Sequence, residues 1–326
     1  MPFSKVFIRW FVCFFVFFFP LFLQAQTLEF DLRTKKVKQQ DSLSLQIRTY
    51  ETIIDEMQRQ PSSYESLASI MTQLGDLYSA NEDYPKAIYL YMRSIIIRQM
   101  GLASGNQNKS SVAWQVIEVG NSFYRLHDYQ LAENAYRIAA QYFSKTSDKL
   151  GLITSLNNIG LCRLNLNKPG AALPLFRKTL AFSRQINDVP RIFSSSIYIS
   201  ISLKELHRFD DAIAVLNSLT DYELDRDHLH LEDYRKLQMG ETYILFGDTL
   251  KGIQIYEQLI EEAHDESAIY YKAITLNRLG SFYDEMGDKQ KAIQYAAGSY
   301  ELLKDRHHLA LLTSVNQLLY RLYKSS

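Results

Sequence analysis

The sequence predicts an all-α solenoid of antiparallel helix hairpins, and three observations carry that prediction. A segment of about twenty residues recurs along the chain with a period of 40. Each recurrence holds two small residues twelve apart, with large apolar or aromatic groups at set distances from them. Glycine and proline are few, 13 and 7 in 326 residues, against 22 tyrosines and 18 phenylalanines. That balance suits long helices with tight connections better than a sandwich or a barrel.

The recurring segments are QLGDLYSANEDYPKAIYLY (73–91), EVGNSFYRLHDYQLAENAY (118–136), NIGLCRLNLNKPGAALPLF (158–176), MGETYILFGDTLKGIQIY (239–256) and RLGSFYDEMGDKQKAIQYA (278–296). Gly75, Gly120, Gly160, Gly240 and Gly280 mark the register, and Ser200 fills the missing beat; the successive intervals are 45 and then 40 four times. Three residues on stand Tyr78, Phe123, Leu203, Tyr243 and Tyr283, with Arg163 departing from the pattern. Twelve on stand Ala87, Ala132, Ala172, Ala212, Gly252 and Ala292; sixteen on stand Tyr91, Tyr136, Phe176, Leu216 and Tyr256, with Ala296 in the last unit. Two small residues let paired helices approach, and aromatics fill the space beside the crossing. Helices of roughly 16 residues, about 24 Å long, fit such a unit. One hairpin cannot bury both its faces, so neighbours must stack.

The pattern L-G-x-x-Y, a turn containing G-D, then A-I-x-x-Y, resembles the tetratricopeptide repeat in an extended, 40-residue form. The resemblance covers about residues 63–326. It implies a right-handed superhelical solenoid of about six full repeats, with capping helices at both ends. It also implies a concave face lined by the first helix of each pair, where a peptide or helix binds. Exported arrays of this long form resemble the sensing half of bacterial membrane histidine kinases and transcription regulators.

Outside the repeats, Leu43, Ile47, Tyr50, Ile54 and Met57 form an amphipathic stripe that Asp41 can cap, so 41–62 reads as an N-terminal capping helix. Ser62 and Glu65 make a capping-box pattern for the helix that follows. Residues 26–40 read as a linker. Residues 1–25 carry Lys5 and Arg9, an apolar run from Trp10 to Leu23, and Ala25, the layout of a secretory signal peptide cleaved between Ala25 and Gln26. The alternative is an uncleaved anchor, for which a 14-residue run is short. The mature chain is thus expected outside the cytoplasm, periplasmic or extracellular, with no further membrane span.

Lysines plus arginines equal aspartates plus glutamates at 36 each, so no global field recruits nucleic acid. Cys13 lies in the leader and Cys162 in a helix core, so no intramolecular disulfide is available to the exported chain. The histidines are His127, His207, His228, His230, His264, His307 and His308. His228 and His230 form a pair without a third ligand at a set spacing, so no metal is expected. No nucleophile elbow, P-loop, HExxH or GxGxxG motif occurs. No enzyme activity and no cofactor are expected.

Counting from the small residue places a candidate partner-binding face. It comprises Trp114, Ile117, Asn121, Tyr124, Arg125, Asn157, Tyr198, Tyr234, Asn277 and Arg278. Amides at Asn121, Asn157 and Asn277 can hydrogen-bond an extended backbone, or serve only to bridge repeats. Arg125 and Arg278 can pair with a carboxylate. Family members that clamp a C-terminal carboxylate use Asn with Lys; the matching lysines are not present here. The expected function is a non-catalytic, extracytoplasmic scaffold for a peptide or protein partner. The alternative is a sensory module, stand-alone or truncated, working with a membrane sensor kinase. In the 40-residue frame Tyr320 falls on the next small position, so 308–326 reads as a C-terminal capping helix, or as the start of a longer array.

Overall fold

The computed structural model describes residues 43–52, 54–55, 64–102, 109–262, 266–306 and 308–324. The leader with its Ala25–Gln26 junction, the linker, Asp41, Ser62 and His307 lie outside them. Among the described residues the chain is helical without strands. After a helical stretch at 43–52 and 54–55 come α1 (Tyr64–Ala80), α2 (Tyr84–Leu102), α3 (Lys109–Arg125), α4 (Tyr129–Phe143), α5 (Lys149–Asn165), α6 (Pro169–Gln185) and α7 (Val189–Glu205). Then follow α8 (Phe209–Asn217), α9 (His230–Phe246), α10 (Thr249–Glu262), α11 (Glu266–Glu285), α12 (Lys289–Leu303) and α13 (Leu309–Lys324).

The described residues fall into two compact units, divided between residues 104 and 105. The sequence reading treats 63–326 as one array; the division falls within the single 45-residue interval, between Gly75 and Gly120. In the first unit α1 packs on α2, and the Tyr78 hydroxyl donates to Glu51 at 2.6 Å, tying the 43–55 stretch to α1. In the second unit each helix packs on the next. The first helices α3, α5, α7, α9, α11 and α13 also touch one another in succession. Their side is therefore the one along which the repeats lie closest.

The turns repeat as faithfully as the helices. Seven residues after the small position stand Glu82, His127, Asn167, His207, Gly247 and Gly287, all with positive φ. His127 and His207 are thus left-handed turn residues at sites where other repeats use Asn or Gly. At the next position, the side chains of Asp128 and Asp288 accept from Leu131 N and Lys291 N and so cap α4 and α12.

The small residue has a more specific partner than a helix backbone. A β-carbon on Gly120 would sit 2.6 Å from the ring of Tyr136, and one on Gly75 would sit 2.7 Å from that of Tyr91. The glycine makes room for the aromatic sixteen residues on. Where that residue is Leu216, the small position accepts Ser200, whose hydroxyl donates to Ile197 O at 2.7 Å. Beside Ala296 the nearest neighbours are backbone instead: Ala292 O and Ala296 N stand 3.2 Å from a β-carbon on Gly280.

One hairpin departs from the pattern. α8 has 9 residues, and 218–229 is irregular apart from a 3-10 turn at Arg226–His228. Beyond the buried Leu219, Tyr222 and Leu224 turn inward while Asp221, Glu223 and Asp225 are exposed. Alternate residues pointing in is the habit of an extended chain, so the segment fills the core without a helix.

Candidate functional site

The residues of the expected binding face separate into three groups. Ile117 is 2% exposed and belongs to the core. Trp114, 37% exposed, donates its indole N–H to Asp148 Oδ2 at 3.0 Å, and its ring meets Phe143 edge-on at 5.2 Å. Asp148 also accepts from Ser110 at 2.7 Å and from Gly151 N at 2.8 Å. Burial pushes the Asp148 carboxyl up, but those three donors outweigh it and hold it below its ordinary value.

The second group is the amides and Arg278. Asn121 Oδ1 accepts from the Tyr136 hydroxyl at 2.7 Å, and its Nδ2 donates to Glu118 at 3.1 Å. Tyr91 makes the corresponding bond to Asp76 at 2.8 Å. The residue after the small position is therefore polar where the aromatic partner is tyrosine, and apolar (Leu161, Ile201) where that partner is Phe176 or Leu216. That pairing is a signal in the sequence for an internal role of Asn121. Arg278 pairs with Glu241 and hydrogen-bonds Tyr256. Glu241 also takes Lys204 Nζ at 2.5 Å, and Lys204 reaches Gln238 at 2.9 Å. The Asn277 amide donates to Ser314 at 3.2 Å. The side-chain oxygens of Asn157 and Asn277 are buried and accept no hydrogen bond from a protein group.

These bonds reveal the lateral register. Asn121–Asn158, Lys204–Glu241 and Asn277–Ser314 each join residues 37 apart. Neighbouring first helices are thus offset by about one turn from the 40-residue sequence period, because successive hairpins are inclined to each other. A row at this step contains Tyr124, Leu161, Tyr198, Tyr234 and Tyr271, at intervals of 37, 37, 36 and 37.

That row forms the third group. Tyr124, Tyr198 and Tyr234 line one groove of about 950 Å³, with Leu161, Leu164 and Asn165 of α5, Asn167 of the following turn, Pro169 at the start of α6, and Ile201 and Glu205 of α7. Asn165 donates to the Tyr124 hydroxyl at 2.9 Å and to Leu161 O at 2.9 Å. Tyr198 packs on Phe176 at 5.2 Å, and Tyr234 on Tyr271 at 5.7 Å. Burial pushes the Tyr124, Tyr198 and Tyr234 phenols above their ordinary value, so they remain neutral. Arg125 is exposed beside Tyr124. The groove offers apolar faces, hydroxyl donors and one carboxylate.

Among the described residues no group of His, Cys, Asp and Glu could hold a metal ion. His228 takes a hydrogen bond with Asp225 at 2.5 Å. Cys162 is fully buried, and burial pushes its thiol up to about 12, the opposite of what a nucleophile needs. No helix of the described residues is long and apolar enough to cross a membrane.

Fold and groove define an all-α repeat solenoid with a ligand-sized furrow on its first helices. The chain is a tetratricopeptide repeat protein: models of the tetratricopeptide repeat match residues 112–185 and 273–302. The fold is one that serves as a scaffold for protein–protein interaction. A tetratricopeptide repeat protein from Parabacteroides merdae superposes with a TM-score of 0.58 at 13% identity, over 87% of this chain and 99% of that one. Aspartyl phosphate phosphatase F from Bacillus subtilis gives 0.59 at 14%, over 81% and 67%. The Rap conjugation gene regulator of a plasmid, solved with a Phr peptide, gives 0.52 at 17%, over 79% and 73%. The 43 kDa receptor-associated protein of the synapse from Tetronarce californica is 21% identical over 191 residues. That match takes in 59% of this chain and 46% of the relative, so it spans about half the relative's length.

Proposed function

We propose that the chain is a non-catalytic scaffold that holds a peptide or protein segment in the groove of Tyr124, Tyr198 and Tyr234, and that it does so outside the cytoplasm. The observation that carries the binding reading is the row of three half-buried rings from α3, α7 and α9, with Leu161 of α5 among them, along one furrow. Rings give large contact area at low entropic cost, and their hydroxyls fix orientation. The Rap regulator with its bound Phr peptide supports the same use of this fold. Selection from a displayed random peptide library should enrich binders that the Tyr124→Ala, Tyr234→Ala double variant fails to hold. Binders indifferent to that change would place the site elsewhere.

The extracytoplasmic part rests on Lys5, Arg9, the Trp10–Leu23 run and Ala25. Fractionation with N-terminal sequencing should find a chain beginning at Gln26 outside the cytoplasm; a retained Met1 would overturn cleavage, and recovery in the cytoplasmic fraction would overturn export. A sensory role, with occupancy relayed to a separate membrane kinase, is a second reading favoured by the regulator bound to its peptide. Cross-linking from the groove-occupied form should then capture such a kinase, and capture indifferent to occupancy would count against it.

A further inference from the structure

We infer that the occupant of the groove is a proline-rich segment in the polyproline II conformation, carrying a basic side chain at the Glu205 end. This rests on the peptide-binding reading above and narrows it to one class of ligand.

The first argument is spacing. Tyr124, Leu161, Tyr198 and Tyr234 come one from each of α3, α5, α7 and α9, which pack directly on one another in succession. Packed helices lie about 8–10 Å apart. A polyproline II helix brings the same face round every three residues, about 9 Å at 3.1 Å per residue. An extended strand brings its same-side residues round about every 6.8 Å. The rungs therefore match one polyproline II turn per helix and do not match a strand.

The second argument is hydrogen-bond polarity. The hydroxyls of Tyr198 and Tyr234 bond no protein group among the described residues. The Tyr124 oxygen already accepts from Asn165, so its own hydrogen is directed to another acceptor. The furrow thus presents three hydroxyl hydrogens without a protein acceptor among the described residues, beside the apolar Leu161, Leu164 and Ile201. A proline-rich strand presents carbonyls and few N–H groups, and a polyproline II backbone makes no internal hydrogen bonds. The two inventories are complementary.

The third argument is charge. Glu205 is the only charged residue lining the groove; it is exposed and makes no ion pair among the described residues. The nearby cations are committed: Lys204, with 7% of its side chain exposed, and Arg278 both pair with Glu241. A cationic side chain on the ligand finds one carboxylate to meet on α7, while Arg125, the exposed cation beside Tyr124, stands on α3.

The test uses three labelled synthetic peptides in fluorescence anisotropy: decaproline with one internal arginine, the same peptide with glutamate there, and a Gly-Ser peptide with the arginine. The first should bind at least about tenfold more tightly than either of the others. Glu205→Arg, a change at an exposed position that leaves the helical circular dichroism intact, should reverse the order of the arginine and glutamate peptides. Equal binding of the Gly-Ser peptide overturns the conformational part, and an unchanged order in Glu205→Arg overturns the charge part. If none of the three binds while the library selection still yields Tyr124-dependent peptides, the proline assignment is wrong and the groove stands. If that selection fails too, the groove itself is the wrong site.

Discussion

The ring of Phe176 occupies the space that a β-carbon on residue 160 would need: that point lies 2.6 Å from Cε1. Phe176 is fully buried, and its other side meets Tyr198 on the next first helix. One glycine on α5 thus sets the depth of a ring on α6, and that ring supports a tyrosine of the groove. Backbone, core and site are linked through two residues.

Gly160→Ala should therefore destabilise the fold, even though alanine gains about 1 kcal/mol of helix propensity over glycine. Overpacking a closed core costs about 1–3 kcal/mol, and the ring has no void to enter. Adding Phe176→Leu, which recreates the Ser200–Leu216 combination, should recover part of the loss. Urea unfolding of the two singles and the double gives the coupling. Additive losses would show that the ring is not what the glycine accommodates.

The hairpins were legible in the sequence because small residues and aromatics recur at offsets set by the local helix pair. The groove was legible only in part. Tyr124, Tyr198 and Tyr234 lie at different offsets within their repeats, and they converge because neighbouring helices are displaced by a turn. A 40-residue frame aligns Asn157 with Asn277 on paper, whereas space aligns Asn277 with Ser314. Lateral register comes from the inclination of packed hairpins, which periodicity along the chain does not encode. The irregular 218–229 segment escaped for a similar reason: it keeps the 40-residue interval while giving up the helix that normally fills it.

Asp148 predicts a spectroscopic signal. In a chain beginning at Gln26, Trp114 is the sole tryptophan, and its indole N–H donates to this carboxylate. Its emission should shift in acid with a midpoint below 3.8, the ordinary Asp value, since the native contacts favour the charged form. Asp148→Asn should abolish the transition and keep an α5 cap, while Asp148→Ala should cost about 1–2 kcal/mol as the cap is lost. A midpoint at or above 3.8 would contradict the depressed carboxyl.

Asn157 tests whether an amide is kept for function. Its buried oxygen lacks a protein donor, at a position where other repeats hold Ile117, Ile197 and Leu237. Removing an unsatisfied buried acceptor should stabilise the fold, so Asn157→Ile is expected to gain about 1 kcal/mol in urea unfolding. A gain accompanied by weaker peptide binding would assign the amide to the ligand. A loss of stability would show instead that the amide supports the repeat stack.

Glu241 sits between Lys204 and Arg278, and the three form a row at the lateral step. Burial pushes its carboxyl up, but the two cations prevail and hold it below its ordinary value of 4.5. A depressed native pKa means that the stabilisation is present above the unfolded value and is lost as pH falls through the folded one. The urea midpoint of the wild type should therefore fall as pH is lowered from 6 toward 3. Glu241→Gln removes that titration and strands two partly buried cations. It should cost about 3 kcal/mol at pH 7 and show a shallower acid dependence. Lys204, the more buried cation, should contribute most of the cost, so adding Lys204→Met to Glu241→Gln should restore stability. If the double variant is no more stable than Glu241→Gln alone, the stranded charge is not the source of the loss.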